Sequence, residues 1–153
     1  MKRHGAVKLA LIQWLRGMEV RAEKEQEIPR WSTEQEKAML DVVYIEQSFG
    51  IVALDVSVTD ISTPAVGDGQ AWRYLIARRE RRKHTRYPGP ELVPFVVDVR
   101  GRWGREAEAW LKRTAKRYAG EEGVKAQMRK CRYAVGTALQ VSCAEQLACA
   151  SGL

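Results

Sequence analysis

A chain of 153 residues, 45% hydrophobic and 29% charged, suits one domain with a core of its own and excludes the disordered and low-complexity classes. No apolar run approaches the roughly 20 residues of a membrane span, so no membrane partner is expected. The net charge of +7 is uneven: from Glu19 to Glu46 eight acids stand against four bases, and from Arg73 to Arg132 eighteen Lys or Arg stand against seven Asp or Glu. So one-sided a field suits a polyanion; the alternative is a set of solvated helices, which usually mix signs more evenly.

The start is basic and then apolar, as in a signal peptide, but Gln13, Trp14 and Arg16 interrupt it and no small-residue cleavage site follows. Val7, Leu11, Trp14, Leu15 and Met18 recur at helical spacing and predict an amphipathic first helix over residues 6–18. Met18, Val20 and Ala22 alternate with charged residues and predict a short strand before Pro29. Residues 40–45 and 51–58 are β-branched runs around the turn "EQSFG", hence a hairpin. Pro64, Gly67, Asp68 and Gly69 predict a loop.

A helix follows over 71–87, with Trp72, Leu75 and Ile76 inward, and stops at "PGP". "ELVPFVVDV" is nearly continuously apolar, the pattern of a strand buried on both faces. After the "RGRWG" loop, helices are expected over 105–119 and from 124 to about 150, separated by "GEEG". The order is helix, three strands as a meander, helix, strand, then two helices. The strand–helix–strand link favours a parallel crossover, and so an α/β fold with a mixed sheet. One domain over 1–153 is expected, its core at about 4–100.

Cys131, Cys143 and Cys149 have no CxxC spacing, leave an odd thiol and fall in one helical region. They read as small buried residues of an intracellular protein, not as zinc ligands or disulfides. With only His4 and His84, a His-rich metal site is disfavoured as well. Asp41 and Asp55 fall on the two arms of the hairpin, each in a β-branched context. Adjacent strands lie about 4.8 Å apart, so two such carboxylates can converge on one divalent cation. The alternative is a pair of exposed hairpin aspartates. In "ARRERRKHTRY", Glu80, Lys83 and Arg86 recur every three residues and share a helix face. A lysine beside paired carboxylates can hold an attacking water or stabilise a pentavalent phosphate; otherwise the helix lies along a phosphate backbone, or serves solubility. Trp14, Trp72 and Trp110 sit on apolar helix faces and read as core. Trp103, between glycines, is a loop anchor or a base-stacking lid.

"ALDVSVTD", "ARRERRKHTRY" and "LVPFVVDVRGRWGREAEAWL" together resemble the domain at the C-terminal end of reverse-transcriptase polyproteins of non-LTR retroelements, which itself resembles the PD-(D/E)XK, or restriction-endonuclease-like, nucleases. The opening "RHGAVKLALIQWL" and the late "RYAVGTALQVSCAEQL" resemble that family's first and last helices, so the likeness spans nearly the whole chain. It implies a helix–strand–strand–strand–helix–strand core that nicks DNA with Mg²⁺ or Mn²⁺ during element integration, in the nucleus, on DNA or an RNA–DNA hybrid, beside a reverse-transcriptase module. On it, Asp41 and Asp55 are the metal ligands, with the Val56 carbonyl beside them and a further ligand from Glu23 or Glu25. Ser57 stands where the motif lysine would be; Lys83 is its substitute and Glu80 the family's glutamate. Two departures are Ala38, where the family has Arg, and Asp98, where it has Glu. Arg73, Arg79, Lys83, Arg86, Arg102 and Lys112 are the expected nucleic-acid face. The competing expectations are an inactive remnant that only binds nucleic acid through that face, and an interaction domain with no nucleic-acid role.

Overall fold

The computed structural model describes residues 2–48, 50–61 and 71–150, without the side chains of 141–150. Helix α1 spans Arg3–Gly17, and strands β1, β2 and β3 span Glu23–Glu27, Met39–Glu46 and Gly50–Thr59. Helix α2 (Ala71–Arg86), strand β4 (Leu92–Asp98) and helix α3 (Arg105–Ala150) complete the chain. One sheet has the order β1-β2-β3-β4; β1–β2 and β2–β3 are antiparallel and β3–β4 parallel. The chain is α/β with a mixed sheet, as the pattern of elements predicts.

The period-2 alternation divides each strand between two faces. Val42 and Tyr44 of β2, Val52, Leu54 and Val56 of β3, and Phe95 and Val97 of β4 pack with α1 and α3 into the main core. Burying a residue of this size stabilises by about 1.5–3 kcal/mol, so this face anchors the sheet. Trp110, fully buried, stacks edge-on against Trp14 and Phe95 and donates its indole N–H to Tyr44 Oη at 2.9 Å. Burial, only partly offset by that bond, pushes the Tyr44 hydroxyl pKa up to about 12. On the opposite face Ile76 of α2 packs with Ile61 and Val96. A smaller cluster joins Ala38 and Leu40 to Ala53, Leu92 and Tyr87. Every residue of β4 is buried, as its apolar run predicts. Pro94 is accommodated there because β4 ends the sheet order, where a missing N–H breaks no second ladder.

One boundary differs from the sequence pattern. Val20 and Ala22 are buried, but they precede β1, which begins at Glu23 and exposes all five of its side chains. An edge strand held by backbone pairing to β2 carries no alternation for a pattern to detect. The two expected C-terminal helices are both present within α3 and meet at a kink at Gly120 (φ 72°, ψ 175°), where the backbone leaves helical geometry. Glycine tolerates that positive φ, so "GEEG" separates the two helices by a kink at its first residue. The predicted loop through Pro64 and Gly69, and the side chains of Cys143 and Cys149, lie outside the described residues. Cys131 is a free, buried thiol, as expected.

Candidate active site at the open end of the hairpin

The β2–β3 register pairs Val42 with Leu54, which makes Asp41 and Asp55 the next opposed pair. Val42 and Leu54 face the main core, so the two aspartates project from the α2 face. Regular pairing ends there: Val56 N–H is donated to Asp41 Oδ2 at 2.7 Å instead. A side-chain carboxylate thus takes a backbone donor of β3 and opens the hairpin at this point.

Asp55 is met from α2, where Lys83 Nζ lies 2.9 Å from Oδ2. The ion pair is close, yet that oxygen, buried, has no well-angled hydrogen bond. Four residues earlier on α2, Arg79 Nη1 donates to Ser57 Oγ at 2.8 Å. Asp55:Lys83 and Ser57:Arg79 are successive rungs between strand and helix. Two strand residues advance about 6.7 Å and four helix residues about 6 Å, so the elements stay in step.

Two more cations arrive from α1. His4 Nε2 lies 3.1 Å from Asp41 Oδ1, and Lys8 Nζ lies 2.7 Å from Glu25 Oε1. Glu25 falls between the paired residues Lys24↔Val42 and Gln26↔Leu40, opposite Asp41, with φ at 53°. Of the two glutamates suggested for this strand, Glu25 is the one whose charge reaches Asp41; Glu23 lies 3.9 Å from Arg16. His4 and Lys8 stand four apart on one helix face, a spacing readable in the sequence but masked there by the scarcity of histidine.

The two aspartates titrate in opposite directions. Burial raises the pKa of Asp41, but the His4 hydrogen bond and charge and the Val56 N–H outweigh it and hold the group below its ordinary value. Burial dominates at Asp55 and raises its pKa; Lys83 opposes that shift, and the Asp41 charge adds to it. Asp41 in turn raises the pKa of His4, through their hydrogen bond above all. The carboxylates therefore share a site of which one member is set to be charged and the other resists charge.

The remaining predicted residues are dispersed. Glu80, 5% exposed, accepts the Glu106 N–H at 2.9 Å and so caps the start of α3, turned away from the aspartates. Arg86 pairs with Glu36, and Arg102 with Asp98 while lying over the Trp72 ring. Arg73 also lies over Trp72. Lys112 belongs to α3, which packs on the other face of the sheet, so the six basic residues do not form one face. Ala38, in the family's arginine position, is buried against Leu40 and Tyr87. Asp98 is buried and holds its own loop through the Arg100 and Arg102 N–H groups, a structural acceptor. Trp103 is 8% exposed, bridges to Val97 and stacks on Phe95: an anchor, not a lid.

Among the described residues no three His, Cys, Asp or Glu side chains are grouped to hold a metal ion. The facing pair Asp41 and Asp55 fits a weaker requirement, since Mg²⁺ commonly takes one or two carboxylates and completes its shell with water and phosphate oxygens. Concavities of about 700 and 600 Å³ lie elsewhere, beside β1 and between α2 and α3. No model of a known family matches the chain, and no curated protein matches it.

Proposed function

We propose that this chain is a metal-dependent DNA endonuclease domain of the restriction-endonuclease-like kind, derived from a retroelement and acting as a nickase. The observation that carries the reading is the facing of Asp41 and Asp55 across the open hairpin, with Lys83 at Asp55. The element order and the strand–helix rungs are compatible with that nuclease core. Asp41 and Asp55 would hold Mg²⁺ or Mn²⁺, which would supply Lewis-acid polarisation of the scissile phosphate and a more acidic water. Glu25 stands beside them as an outer carboxylate. Lys83 holds the water or the phosphate oxygen on the Asp55 side, and Arg79, steadied by Ser57, offers a second cation one rung along. Nuclear DNA, or an RNA–DNA hybrid made by an associated reverse transcriptase, is the substrate that goes with this reading.

One specific observation favours a second reading, an inactive domain that only binds DNA. Each carboxylate already has a basic side-chain partner, His4 for Asp41, Lys8 for Glu25 and Lys83 for Asp55, and carboxylates so engaged have less pull on a metal. Nicking of supercoiled plasmid with Mg²⁺ or Mn²⁺ separates the two. The nuclease reading expects metal-dependent nicking, reduced at least 100-fold in both Asp41→Ala and Asp55→Ala. Binding without nicking, equal in all three proteins, leaves the second reading.

A further inference from the structure

We propose that the concavity between the start of α2 and the start of α3 receives an unpaired base of a DNA strand, with Trp72 as its stacking platform. The inference rests on the nucleic-acid reading above and extends it to a site about 11 helical residues, or roughly 16 Å, from Lys83 along α2. The concavity holds about 600 Å³ and is lined by Trp72, Arg73, Trp103, Arg105 and Glu108, among others. That is within the usual range for a bound small ligand, and its lining mixes aromatic and charged side chains with Ile76 and Ala77.

Three features make it a built site. Trp72 packs one side on Ile61, Ile76 and Val96 and is left part-exposed, as Trp31 is, whereas Trp14, Trp103 and Trp110 are buried. Its ring is also pre-set: the buried Asp98 carboxylate ties Arg102 Nε at 2.5 Å, and the Arg102 guanidinium lies 4.9 Å from the Trp72 ring centre. Arg73, exposed, also lies over that ring at 5.3 Å and would move off it onto a phosphate as a base stacks. Finally, both carboxylate oxygens of Glu108, on the cavity wall, accept from Arg132, which itself lies over Trp103, so Glu108 is fixed and offers a ligand its remaining lone pairs. Every base has a π-face for the indole, and A, C and G carry an exocyclic amine for such an acceptor. A paired base has both π-faces covered by its stacked neighbours, so the site selects single strands.

The test uses the whole chain with a single-stranded oligonucleotide and its duplex, each carrying 2-aminopurine, in Ca²⁺ to prevent cleavage. Trp72→Leu keeps apolar contact with Ile76 but removes the ring; Trp72→Phe keeps a ring. Trp72→Leu is expected to weaken single-strand binding roughly 5- to 150-fold, with Trp72→Phe largely restoring it and duplex affinity unchanged. In the wild type, 2-aminopurine fluorescence should be quenched in the single strand, a readout that needs no variant to fold. Equal affinity in all three proteins without quenching overturns the pocket and leaves the nuclease reading standing. Failure of the wild type to bind either oligonucleotide at low salt overturns both.

Discussion

At Asp55 burial and a lysine pull in opposite directions, and the consequence is testable by removing one of them. Its side chain is 13% exposed and that of Lys83 24%, so solvent screens the pair only in part. Lys83→Met leaves a largely buried carboxylate without its cation and is expected to destabilise the fold by roughly 1–3 kcal/mol at pH 7. Adding Asp55→Asn should recover most of the loss, and urea denaturation of the four proteins closes the cycle; additive effects would mean the two groups do not interact. His4 and Asp41 supply a pH signature. His4 is raised in the fold, so its contribution is complete below the ordinary histidine value and fades as pH rises through the raised one. Asp41 is lowered, so its contribution holds above the ordinary carboxylate value and fades as pH falls through the lowered one. Asp55 is raised, chiefly by burial, and its share also declines as pH rises through its own value. The His4–Asp41 pair is thus strongest in mildly acidic solution. Urea midpoints of the wild type should decline from about pH 6 to pH 8, and His4→Gln should flatten that decline; an unchanged slope would place the titrating group elsewhere.

Elements fix what each of these residues can do, and here the sequence is legible in some places and opaque in others. The alternation through "LDVVYI" and "IVALDVSV" places both aspartates off the core face, and the register across the turn then makes them neighbours. The continuous apolar run of β4 reveals its burial. The role of Glu80 was not legible, because a spacing of three along α2 does not say that the start of α3 lies against its middle. There Glu80 accepts the Glu106 N–H, and burial raises its pKa, with that bond opposing. An added Cβ at Gly104 would meet Glu80 Oε2 and Ile76 Cγ2, each at 2.8 Å, so the helix start and the carboxylate are in close contact. Glu80→Ala should therefore cost about 1 kcal/mol as a lost cap, and Gly104→Ala about 1–3 kcal/mol by overpacking. Glu80→Gln keeps an acceptor and should leave plasmid nicking within a few-fold of wild type. A loss of nicking in Glu80→Gln without a fall in melting temperature would return Glu80 to the chemistry.

For the whole molecule, the uneven charge written along the chain is partly cancelled once it folds. The acid-rich stretch closes onto the basic one through Arg86–Glu36 and Arg117–Glu46, and Glu25 takes Lys8. A count of charges along the sequence cannot anticipate these pairings, because they join residues far apart in the chain. What remains for a polyanion is narrower than the sequence suggests. Arg78, Arg81 and Arg82 are exposed on α2, and none has an ion-pair partner among the described residues; Arg78 and Arg82 flank a small concavity with Asp60. Each phosphate a protein neutralises contributes about 0.9 to the slope of log affinity against log salt. If these three side chains are the electrostatic contacts, replacing all of them by alanine should lower that slope by up to about 2.7. Arg86→Ala, whose cation is already engaged by Glu36, should change it by less than about 0.9. All four positions are exposed, so stability should move little and the slopes can be compared directly. A triple variant with the wild-type slope would mean that DNA, if bound, lies on another face, and the alignment of Asp55, Lys83 and Arg79 along one strand path would lose its support.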